Sequence, residues 1–191
     1  MANSRRYIKL ENRVKAIELL YLPATNPTGN YTKKEQDDIR AYLLLVHAEV
    51  EAYFEETSES KAKDAFNKWK NHRTKSNVLL SLVSFHESKI TEQNIETRVN
   101  NALSTFIYSL RHNHGIKEDN ILSILLPIGF EYSEIDVTWL NTITSFGTSR
   151  GEIAHTAAHV QQPLDPVTLK STVQQVMSEI KIIDEKLKRI K

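Results

Sequence analysis

The chain has 191 residues, 40% of them hydrophobic, enough to close one core, and a single domain over residues 1 to 191 is expected. It has no cysteine, which excludes disulfides, thiolate nucleophiles, iron–sulfur clusters and thiolate zinc sites and fits a reducing cytoplasm. A net charge of +1 gives no overall attraction to nucleic acid, so any such affinity has to come from a local patch.

Only 5 Gly and 5 Pro stand beside 26% charged residues, a composition that suits long helices better than short strands joined by tight turns. No window approaches the ~18 apolar residues of a membrane span, and no targeting segment is evident, so a soluble protein that makes no use of a membrane is expected.

Tyr7, Leu10, Val14, Ile17 and Tyr21 are spaced by threes and fours and predict a first helix, ended by the Pro/Gly-containing run at residues 23 to 29. A second helix is expected from near Thr32 to about Thr57. Its centre, Tyr42 to Val46, is apolar on every side, as in a central buried helix. On that helix Arg40, Leu44, His47 and Glu51 share one face, so three polar groups line an otherwise apolar rod and need partners.

Residues 60 to 87 read as a separate basic helix, a break near residues 71 to 76 and a short apolar helix with Val78, Leu79, Leu82, Val83 and Phe85. Lys61, Lys63, Lys68, Lys70, Arg73 and Lys75 surround Trp69 with only Asp64 against them. Lys68, Lys70, Arg73 and Lys75 are candidate RNA contacts, and a solvated helix face explains the run equally well.

The stripe Ile95, Val99, Leu103, Phe106 and Leu110 predicts a helix from about Thr91 to Arg111, stopped near Gly115. A short apolar helix at residues 118 to 126 is closed by Pro127 and Gly129. Asp136 is placed to cap a helix bearing Val137, Trp139, Leu140, Ile143 and Phe146. The Gly147-Thr148-Ser149 run reads as an interruption. Ser149 and Glu152 have capping-box spacing, which predicts a new helix start at Arg150. Finally, Asp165 and Pro166 open a long helix whose apolar residues run from Leu169 to Ile190 in steps of four and three. The expected fold is an all-α bundle with a long C-terminal helix.

Arg150 opens the segment Arg-Gly-Glu-Ile-Ala-His, which ends at His155. An Arg and a His with four to six residues between them carry little weight by themselves. With 9 Arg and 7 His in the chain, three allowed spacings give roughly one chance match, and Arg40 with His47 is a second instance. Context separates the two. The Arg-Gly-x-x-Ala-His form follows a Trp139-bearing helix and precedes one long terminal helix. Val50-Glu51-Ala52-Tyr53-Phe54 lies on an early helix, and Asn113-His114-Gly115-Ile116-Lys117 precedes an apolar helix and Ile128-Gly129.

In these features the chain resembles the HEPN superfamily, in particular its RiboL-PSP-HEPN branch, over roughly residues 35 to 160. The resemblance implies a metal-independent endoribonuclease without cofactor, with Arg150 and His155 as its catalytic pair. It also implies a homodimer in which both pairs line one cleft, possible control by an antitoxin or other regulatory protein, and a role in toxin or phage-defence systems. The competing class is a non-catalytic helical module of the same fold that binds a protein or nucleotide.

The residue types suit such a reaction. RNA carries its own nucleophile, the 2′-hydroxyl, so cleavage to a 2′,3′-cyclic phosphate and a 5′-hydroxyl needs two proton exchanges and a cation at the phosphate. Histidine and the forked guanidinium provide them. Five helical positions put Arg150 and His155 about 140° apart, which favours a site shared by two chains. Gly147, Gly151, Ala154, Ala157 and Ala158 would permit close approach, or simply tight packing within one chain. The resemblance also implies that the polar face of Arg40, His47 and Glu51 packs behind the active segment, with Glu51 an orienting carboxylate for Arg150 or His155; the alternative is a self-contained Arg40–Glu51 packing network. His112, His114 and His159 are expected to be ordinary solvated or packed residues, and no metal site is expected.

Overall fold

The computed structural model describes residues 3–87, 94–156 and 162–190. These residues form seven α-helices and, among the described residues, no strand. Helix α1 (Arg5–Tyr21) starts where the Ser4 hydroxyl accepts from the Tyr7 N–H, and it buries the expected stripe Tyr7, Leu10, Val14 and Ile17. Helix α2 (Lys33–His72) starts in a capping box: the Glu35 N–H donates to Thr32 Oγ1 at 3.2 Å, and the Thr32 N–H donates to Glu35 Oε2 at 2.7 Å.

Here the first correction arises. The expected end near Thr57 and restart at Ser60 are absent, and α2 runs 40 residues without a break, about 60 Å at the usual helical rise. No Gly or Pro occurs between Lys33 and His72. Thr57 and Ser58, at the expected break, are buried inside the helix, so packing overrides their weak local preference for turns. The helix stops at Arg73, in the left-handed region with φ 53°.

Helix α3 (Asn77–Phe85) is capped by Ser76 and α4 (Ile95–Arg111) by Asn94. Thr91, the expected start of α4, lies outside the described residues. Ile95, the first position of the predicted stripe, is exposed, whereas Val99, Leu103, Phe106 and Leu110 are buried. Helix α5 (Glu118–Leu125) passes into a 3-10 turn, Leu126–Ile128, which Gly129 ends with φ 96°. Helix α6 (Val137–His155) is capped by Asp136, and α7 (Pro166–Arg189) by Asp165.

Helix α2 touches every other helix, in keeping with its apolar centre, and one hydrophobic cluster takes side chains from all seven. The Trp139 indole N–H donates to the Val176 carbonyl at 3.2 Å and ties α6 to α7. A buried carboxylate ties α7 to the beginning of the chain. Asp184, 1% exposed, accepts from the Ser4 N–H at 2.8 Å, the Ser4 hydroxyl at 2.5 Å and the Tyr53 hydroxyl at 2.9 Å. A charge this deep is tolerated because its lone pairs are occupied. No helix among the described residues is long and apolar enough to cross a membrane.

Candidate active site

Helix α6 runs unbroken through Gly147-Thr148-Ser149, which corrects the predicted interruption. Ser149 does not cap a new helix. Its hydroxyl donates backward to the Ser145 carbonyl at 3.1 Å, as Thr148 does to Thr144 at 2.9 Å, and Glu152 is exposed. Gly147 has a packing role instead of a breaking one. A Cβ there would stand 3.2 Å from Lys117 Cγ and 3.6 Å from the Lys117 nitrogen, so the bare backbone lets the connection between α4 and α5 lie flat on α6. Arg150 consequently lies near the C-terminal end of α6, where the helix dipole favours its positive charge and supplies no free N–H groups for an anion.

Arg150 is half-buried and faces α2, whereas His155, the last residue of α6, is exposed. On α2, the charge of Arg150 acts on His47 and Glu51. His47 is 1% exposed, its ring 6.1 Å from that of Phe146 on α6. Burial, and then the Arg150 charge, push its pKa down to about 4. His47 is therefore neutral near pH 7, and the 3.7 Å approach of its Nδ1 to Glu51 Oε2 is neither an ion pair nor a hydrogen bond.

Burial and the neighbouring Glu55 carboxylate raise the pKa of Glu51. Arg150, the Gly115 N–H that donates to Glu51, and His114 oppose that rise. Glu51 is thus a half-buried carboxylate on which a guanidinium and a loop imidazole both act. Among the described residues, no group of three or more His, Asp or Glu side chains is placed to hold a metal ion.

Arg40 does not join this cluster. It lies eleven positions before Glu51 on α2, about 16 Å along the axis, and pairs with Asp37 at 3.0 Å. The Arg40–Glu51 network is accordingly not formed. The basic candidates are also remote, since Lys68 is about 25 Å along α2 from Glu51. Lys68, Lys70, Arg73 and Lys75 are all exposed. Lys68 pairs with Asp64 at 2.7 Å, and Arg73 pairs with Glu96 while lying 4.8 Å over the Trp69 ring. Lys61, Lys68, Lys75 and Lys188 line a groove of about 850 Å³ beside the end of α7. Ala157, Ala158 and His159 lie outside the described residues.

The approach of the Gly115 backbone and His114 to Glu51 had no counterpart in the sequence reading. The signal was present in the Asn-His-Gly string, whose glycine leaves room for the Asn120 side chain, 3.3 Å from where a Cβ would stand.

The seven-helix architecture of the described residues, with its long C-terminal helix, is that of an all-α protein of the HEPN type. The family model described as RiboL-PSP-HEPN matches residues 8–189, and the chain belongs to that family. The match extends well beyond residues 35 to 160 and takes in most of α1, the basic stretch and all of α7. HEPN domains are often ribonucleases. No curated protein and no solved structure matches the chain.

Proposed function

We propose that the protein is a metal-independent endoribonuclease that acts as a homodimer, with Arg150 and His155 as catalytic residues and Glu51 and His47 positioning Arg150. The observation that carries this reading is the half-buried Arg150, set against Glu51 and neutral His47 within a family-typical motif. A guanidinium held this way presents its free edge to a phosphodiester, binds two of its oxygens and stabilises the extra charge of the phosphorane. The 2′-hydroxyl loses its proton as O2′ bonds to phosphorus, and the 5′-oxygen gains one as the P–O5′ bond breaks.

His155 projects from α6 away from Arg150, so it serves the site of the second copy. Gly151, around which a Cβ would meet nothing within 4 Å, leaves that face of α6 open for close approach. The whole of residues 1 to 191 acts as one domain. The lysines near Trp69 bind RNA backbone outside the cleavage center. The family suggests control by an antitoxin or other regulator and a place in defence.

The test is cleavage of several RNA classes by purified protein in excess chelator. Wild type should cut and leave cyclic phosphate ends, while folded Arg150→Ala and His155→Ala variants should lose about 100-fold or more in rate. An inert wild type, or a variant that cuts equally well, would leave the non-catalytic binding module as the better reading.

A further inference from the structure

We infer that His114, on the connection between α4 and α5, is a second proton-exchanging group of the Arg150 center, supplied by the same chain. The inference rests on the ribonuclease reading above. Both chain neighbours of His114 are fixed to α2. The Asn113 amide donates to Glu55 Oε1 at 2.9 Å and to the Gly115 carbonyl at 2.9 Å, and the Gly115 N–H donates to Glu51. The Asn120 amide donates to Asn113 Oδ1 at 2.9 Å and fixes the Asn113 side chain. From the other side, the Glu118 N–H donates to Thr144 Oγ1 on α6 at 2.9 Å, and Gly147 receives Ile116 and Lys117. A connection fixed at so many points holds the backbone of His114 rigidly between the two helices that carry Glu51 and Arg150.

The side chain of His114 itself is exposed, and an imidazolium there, like the Arg150 guanidinium, favours the Glu51 carboxylate. Other histidines are differently occupied. His47 is sealed against Phe146, and His112 stacks on Tyr108 at 3.9 Å with its Nδ1 on the Tyr108 carbonyl. Transesterification needs two proton exchanges at opposite ends of the phosphorus, one from O2′ and one to O5′. With His155 reaching from the second copy, His114 is the imidazole that the connection anchored to Glu55, Thr144 and Gly147 holds on the Arg150 side of the fold within the same chain. Each center then draws Arg150, Glu51 and His114 from one chain and His155 from the other.

The experiment compares wild type, His114→Ala and Arg150→Ala on one single-stranded RNA in chelator, and measures binding of the 2′-O-methyl form of that strand separately. His114→Ala should lose about 100-fold in kcat while KM and 2′-O-methyl RNA binding stay within about threefold of wild type. Added imidazole should restore part of the lost rate in His114→Ala and none in Arg150→Ala. An unchanged kcat, a loss confined to KM, or a lost rate that imidazole does not restore would each overturn the inference.

If wild type cuts no RNA, the ribonuclease reading falls, and the placement of His114 is read from its ring resonances. Those should still shift when 2′-O-methyl RNA is added to wild type and stay fixed in Arg150→Ala. Resonances that do not move in wild type overturn the inference.

Discussion

His47 is buried without a hydrogen-bond partner for its Nδ1, and the sign of its effect on stability follows from its charge. Its folded pKa, about 4, lies below the ordinary value near 6.5. The unfolded chain therefore binds the extra proton between those values. The favourable contribution of neutral His47 is complete above about pH 6.5 and is lost as the pH falls toward 4, about 3 kcal/mol over the full window. Urea unfolding of wild type should weaken over that range more steeply than that of His47→Gln, and parallel pH dependences would refute the assignment. The polar face of Arg40, His47 and Glu51 was legible in the sequence because it depends only on helical spacing. Its partners were not, because Gly115 and Arg150 reach Glu51 through tertiary packing. The same packing gives Arg40 to Asp37 and leaves it out of the center.

Helix starts were readable wherever a cap lay just before an apolar run, as at Thr32, Asp136 and Asp165. Helix continuity was not, at Thr57–Ser60 and at Gly147–Ser149, because small and polar residues look like breakers until the surface that they pack against is known. Gly147 shows the cost of changing such a position. In Gly147→Ala, a gain in helix propensity of about 1 kcal/mol offsets the few tenths of an ångström that Lys117 must yield, so stability stays within about 1 kcal/mol. In Gly147→Leu the longer side chain pushes residues 116 and 117 off α6, at a cost of about 1–3 kcal/mol. Hydrogen exchange at the Gly115 amide should then accelerate in the leucine variant alone. Unchanged protection would mean that Gly147 does not hold the connection in place.

A two-fold site makes a prediction that no single chain can satisfy. In the proposed homodimer, Arg150→Ala and His155→Ala, each inactive alone, would form mixed dimers in which one center regains both groups and the other lacks both. After equal mixing and exchange of chains, activity should return to about a quarter of the wild-type value. If it stays at the level of the separate variants, Arg150 and His155 act within one chain and the shared-site arrangement is wrong. Gly151, open on its face of α6, was legible in the sequence only as a small residue. Whether it meets its own chain or another depends on how α6 leaves the bundle.

The carboxylate of Asp184 has a consequence in time. Ser4, which caps the first helix, and Tyr53 on the central helix both end on a side chain 180 and 131 positions away in the chain. These contacts form late, since closing so large a loop precedes any gain from it. During synthesis α1 and α2 therefore have no anchor for Ser4 and Tyr53 until residue 184 has left the ribosome, well after Arg150 has been made. A chain built in this order is assembled last at the joint that closes its fold, after its early, partly folded stages.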